Sequence, residues 1–147
     1  MATRSFLIQA VKGTTKLYWT AAEGNKIILL PRGKPYQRWV LNKEGEKYGI
    51  ANVDESGLKF NGVKYDRNRG SEKITTEYYD PITTETTSTS QLFNIVSGDN
   101  HTPVAIKSAL DTRQNLIAKD GPVPNSQIVS TDSDTPRYEW SIIELDH

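Results

Sequence analysis

The chain has 147 residues, with 18 Lys and Arg balanced by 18 Asp and Glu, two His and no Cys. That length builds one hydrophobic core rather than two, and the charge balance removes the basic excess that drives binding to nucleic acid or an anionic membrane. The lack of Cys excludes disulfides, thiolate nucleophiles and Cys-ligated metals.

In chain order, MATRSFLIQAVKG opens with an apolar run that Gln9 and Lys12 break. The run is too short for a signal-peptide core or a membrane span, so the expectation is a cytoplasmic protein or one released without a signal peptide. FLIQAV (6–11), centred on Ile8, reads as a first strand, and KGTT follows as a turn. KLYWT with Leu17 and KIILL with Ile27 read as the second and third strands. The loop LPRGKPYQ then leads into a fourth strand, WVLNKEG, that begins on Trp39.

The series then starts again. YGIANV (48–53) carries Ile50, LKFNG carries Leu58, KITTE carries Ile74 and QLFNIVSGDN carries Phe93. Two insertions lengthen this unit: a basic stretch with Lys64, Arg67, Arg69 and Lys73, diluted by Asp66 and Glu72, and a Thr/Ser-rich loop at 80–90. The basic stretch reads as an exposed turn. A third series follows in VAIKSA (104–109), NLIAK, QIVST and YEWSIIELD, with Ile106, Leu116, Ile128 and Trp140 in corresponding places. The interval from Ile27 to Trp39 equals that from Ile128 to Trp140.

Short β-branched and aromatic runs between Gly, Asn, Asp and Pro turns, without helical periodicity, predict an all-β chain. Self-similarity in threes makes it a β-trefoil of twelve strands in three four-stranded repeats, a barrel closed by hairpins. A single domain over 1–147 is expected, with repeats near 5–45, 46–100 and 101–147. Trp39, Phe93 and Trp140 are then core residues, since each buries a large ring in a short strand. Aligning Leu17 with Leu58 and Leu116 also places Trp19 in the core, opposite Phe60 and Ala118 in the other repeats.

Catalytic groups are scarce. His101 sits in a turn and His147 ends the chain, neither a setting for a general base or a metal ligand. Asp54, Glu55, Asp99, Asp111 and Asp120 are scattered among turns, where Asp is common. No phosphate loop or metal motif appears. A non-catalytic binding protein without cofactor or metal is expected.

Two resemblances bear on what is bound. Gln37-Arg38-Trp39 matches the Gln-x-Trp signature of ricin-B-type trefoil lectins; QLF (91–93) is a near match and YEW (138–140) departs from it. In that family an Asp soon after the second strand's Leu and an aromatic platform hold the sugar. LYWT, LKFN and NLIA lack the Asp, so the usual galactose site is not expected, although Tyr18 or Trp19 offers a stacking face. The chain also resembles the cysteine-free trefoil protease inhibitors of mushrooms, the mycocypin-like group, in length, architecture and the closing TPRYEWSIIELDH.

The second resemblance implies inhibition by loop insertion into papain-like cysteine proteases, with serine or aspartic proteases as other targets. Its residues here would be Lys12, Gly13 and Thr14 in the loop 11–16, and Pro31, Arg32, Gly33 and Lys34 in the loop 30–37. Gly13 would allow close backbone approach, and the prolines would reduce ordering entropy on binding. Lys26 would be an alternative specificity residue toward a trypsin-like enzyme. Glycans are the alternative partner.

Overall fold

The computed structural model describes residues 4–23, 26–53, 60–65, 74–79, 92–98 and 103–145. Asp54, Glu55, Leu58, the basic residues Arg67, Arg69 and Lys73, the loop 80–90, Gln91, Asp99 and both histidines lie outside them. The strands are β1 (Phe6–Ala10), β2 (Tyr18–Ala22), β3 (Lys26–Leu30), β4 (Trp39–Glu44), β5 (Lys47–Val53) and β6 (Phe60–Tyr65). They continue as β7 (Ile74–Tyr79), β8 (Leu92–Ser97), β9 (Val104–Ser108), β10 (Gln114–Ala118), β11 (Ile128–Asp132) and β12 (Trp140–Glu144).

Six strands close into a ring. β1 pairs β4, β4 pairs β5, β5 pairs β8, β8 pairs β9, β9 pairs β12 and β12 returns to β1, every pair antiparallel. A closed ring has no exposed edge along the barrel. The other six form the hairpins β2–β3, β6–β7 and β10–β11, each joined to the first strand of its own repeat. The chain is an all-β β-trefoil.

Pairing shows where the threefold relation is strict. Phe6, Tyr48 and Val104 stand opposite Trp39, Phe93 and Trp140, so those three aromatics are equivalent, and all are buried. The N–H groups of Val11, Val53 and Ala109 donate to the carbonyls of Glu139, Arg38 and Leu92, each the residue just before one of the three aromatics. Every repeat is thereby locked to the next by the same bond.

The second strands align differently from the leucine match. Tyr18, Gly62 and Asn115 stand opposite Gln9, Ala51 and Lys107, which directly follow the equivalent Ile8, Ile50 and Ile106. Trp19, Val63 and Leu116 are therefore equivalent, and Phe60 and Ala118 are not the counterparts of Trp19. In the first repeat the slip is two residues, which keeps a side chain on the same face of a strand. Matching by hydrophobicity alone cannot detect it.

Trp19 is nevertheless core. Its ring meets Trp39 edge-on at 5.7 Å and Trp140 at 5.4 Å, at interplanar angles of 87° and 84°. Burial of such a ring contributes about 4 kcal/mol in transfer free energy. The Trp39 indole N–H donates to the Trp19 carbonyl at 3.1 Å, and that of Trp140 to the Leu116 carbonyl at 2.8 Å. These are one bond repeated at equivalent places; Phe93 has no N–H with which to form the third. The indole N–H of Trp19 is buried without an acceptor among the described residues.

Candidate functional site

Between Leu30 and Trp39 the chain leaves β3, turns twice and enters β4. Gly33 (φ 100°) and Tyr36 (φ 64°) both adopt left-handed backbone conformations. Glycine does so without steric cost, whereas a tyrosine incurs strain of about 1 kcal/mol and holds it only where its surroundings fix the backbone. Here the Tyr36 carbonyl accepts from the Ala21 N–H at 3.1 Å and from Asn52 Nδ2 at 2.9 Å.

Gln37 explains the rest of the loop. Its buried side-chain oxygen accepts from the N–H groups of Gly33 (3.2 Å) and Lys34 (3.3 Å) and from Arg32 Nη1 (3.4 Å). Its Nε2 donates to the Pro31 carbonyl (2.8 Å) and to Thr20 Oγ1 (3.1 Å). One amide thus closes the loop over itself and ties it to β2. Gln37 of the Gln-Arg-Trp triplet is a loop clasp, and Trp39 is the core anchor behind it.

Arg38 lies between two buried residues, so strand alternation turns its side chain outward. Its carbonyl is held by the Val53 N–H (3.0 Å) and by Asn52 Nδ2 (3.1 Å). Residues 32–38 and Val53 enclose a surface hollow of about 280 Å³. Tyr36 stands in it with 43% of its surface exposed. Arg32, Lys34 and Arg38 supply three cations to the lining, and among the described residues no carboxylate shares it. The ion pairs among the described residues, Arg4–Glu144, Arg113 with Asp132 and Asp134, and Arg137–Glu139, involve none of the three.

Of the residues singled out from the sequence, Arg32, Gly33 and Lys34 line this hollow, and Pro31 joins its frame through a carbonyl. Lys12, Gly13 and Thr14 do not line it. Gly13 (φ 92°) backs onto the third repeat, where a Cβ added to it would lie 3.1 Å from the Pro122 ring. Val11, at the root of that loop, bonds to Glu139. Lys26 is exposed at the start of β3, opposite Ala22, and also lies outside the hollow. Tyr18 and Trp19 are buried and present no stacking face. Tyr36 and Arg38 were not singled out from sequence, although alternation around Gln37 and Trp39 marks both as outward-facing. Among the described residues no group of three His, Cys, Asp or Glu could hold a metal ion.

No family model matches the chain, and no curated protein matches it. Solved structures do. A mosquitocidal holotoxin aligns over all of this chain at TM-score 0.77 and 18% identity, the chain spanning 18% of the toxin's length. The Rhizoctonia solani agglutinin aligns over 99% of this chain and 97% of its own, at TM-score 0.63 and 18% identity. The C-terminal half of an earthworm R-type lectin, in complex with GalNAc, aligns over 97% of this chain and 99% of its own, at TM-score 0.61 and 19% identity. The fold shared with the agglutinin and the earthworm lectin is the β-trefoil. At these identities the likeness is one of fold, and the residues of this chain's own hollow carry any statement about its ligand.

Proposed function

We propose that the protein is a non-catalytic carbohydrate-binding trefoil that seats a saccharide in the hollow formed by residues 32–38 and Val53. The observation that carries this reading is Tyr36, an exposed aromatic on a backbone clamped from β2 and β5, set in a polar concavity. A pyranose is amphipathic: its C–H face packs on an aromatic ring while its hydroxyls take up polar partners. A volume of about 280 Å³ suits one sugar unit, near the lower end of small-molecule pockets at roughly 300 Å³.

Two further observations support it. The clasp by Gln37 fixes the loop before any ligand arrives, which reduces the ordering cost of binding. The agglutinin and the GalNAc-bound earthworm lectin share the fold over nearly their whole lengths. Protease inhibition draws no comparable support: the hollow takes in the second of the two loops that resemblance implicates and not the first, which packs against Pro122.

A glycan array followed by titration of the best ligand tests the reading. Tyr36→Ala should weaken that ligand at least about tenfold, or 1.4 kcal/mol, with the protein still folded by circular dichroism. An array with no bound glycan, or a Tyr36→Ala protein of unchanged affinity, refutes it. Micromolar inhibition of a papain-, trypsin- or pepsin-like enzyme alongside an empty array would favour protease inhibition instead.

A further inference from the structure

The same hollow carries a statement about the charge of its ligand. We infer that the site selects saccharides bearing an anionic substituent, a carboxylate or a sulfate ester, held by Arg32, Lys34 and Arg38 beside Tyr36. This rests on the carbohydrate-binding reading above.

The chain has 18 basic and 18 acidic residues, so three cations and, among the described residues, no carboxylate in one lining make a local concentration of positive charge rather than a sample of the whole surface. Each cation is mounted on a fixed piece of backbone. Arg32 Nη1 lies 3.4 Å from the Gln37 side-chain oxygen, the Lys34 N–H bonds to the same atom, and the Arg38 carbonyl is held twice. Arg32 has only one of its five N–H donors engaged by that bond, which leaves the guanidinium edge able to meet an oxyanion in bidentate fashion. Three cations gathered in one lining repel one another, a cost that an anionic ligand removes.

A saccharide fits better than a membrane surface. Among the described residues, the exposed large apolar ones, Val11, Tyr36, Val123, Tyr138 and Ile143, include only Tyr36 at the hollow. A single ring suits stacking on a sugar better than insertion among acyl chains. The zero net charge likewise supplies no long-range attraction to an anionic bilayer.

The test is a set of glycans in matched neutral, sialylated and sulfated forms of the same core, titrated into wild-type, Arg32→Gln/Arg38→Gln and Lys34→Ala proteins. The anionic forms should bind at least about tenfold tighter than their neutral core. The double variant should lose most of that preference, its affinity for the anionic forms falling further than its affinity for the neutral core, and Lys34→Ala should lose part of it. Raising NaCl from about 0.05 M to about 0.5 M, which shortens the Debye length roughly threefold, should reduce the preference in parallel. The sialylated and sulfated arms distinguish a carboxylate ligand from a sulfate one. Equal affinity for neutral and charged forms overturns the charge inference and leaves carbohydrate binding standing. Failure of every form to bind, with the protein captured instead by vesicles of phosphatidylserine and phosphatidylcholine, overturns both.

Discussion

Replacing Gln37 with Ala removes one buried amide and five hydrogen bonds, and their separate weights follow from their surroundings. The two donated by Nε2, at 2.8 Å to the Pro31 carbonyl and 3.1 Å to Thr20 Oγ1, are short and shielded, and each contributes about 1 kcal/mol net. The three accepted by Oε1 run from 3.2 to 3.4 Å. Their donors belong to the exposed residues Arg32, Gly33 and Lys34 and can hydrate once released, so together they add about 0.5–1 kcal/mol. The sum is about 2.5 kcal/mol. Urea denaturation should show a lower midpoint at an unchanged slope, and the melting temperature should fall by about 5–10 °C for a domain of this size. Amide exchange at Gly33 and Lys34 should accelerate, and ligand affinity should drop because the loop must be ordered on binding. A loss of stability below about 0.5 kcal/mol, with unchanged exchange at these two amides, would refute the role of Gln37 as the loop clasp.

The core offers a comparison among its three indoles. Trp39→Phe and Trp140→Phe deprive the Trp19 and Leu116 carbonyls of a donor, whereas Trp19→Phe breaks no bond among the described residues. The first two should each cost about 1 kcal/mol more than the third in chemical denaturation, the three changes removing the same ring volume. Gly13→Ala combines a positive φ with a 3.1 Å approach to the Pro122 ring and should cost about 2 kcal/mol. Gly33→Ala, with a positive φ but open space around it, should cost about 1 kcal/mol, and thermal melts of the two variants will show whether that order holds.

Much of the fold is legible in the chain because strand periodicity and turn chemistry are local. Ile8, Ile50 and Ile106 mark the first strands, and Trp39, Phe93 and Trp140 start or nearly start the fourth, all buried as their spacing implies. The leucine at 17 shows where that legibility stops. A period of two residues states which face a side chain takes but not which rung it occupies, so only the pairing of Tyr18 with Gln9 places Trp19 beside Val63 and Leu116 in the threefold frame.

The site divides in the same way. Sequence alone determined that a Gly- and Pro-bearing loop with two cations precedes Trp39, and that the chain has no Cys and two His. Tertiary structure decided how that loop is held. Gln37 turns inward because Thr20 and the Pro31 carbonyl receive it, Tyr36 is fixed because Ala21 and Asn52 hold its carbonyl, and Arg38 joins Arg32 and Lys34. The loop at 11–16, which also carries a Gly and two cations, lies against Pro122 instead. Ring closure brings the root of this loop, Val11, to Glu139 just before the third repeat's fourth strand, a neighbour that lies far away in sequence and leaves no local trace there.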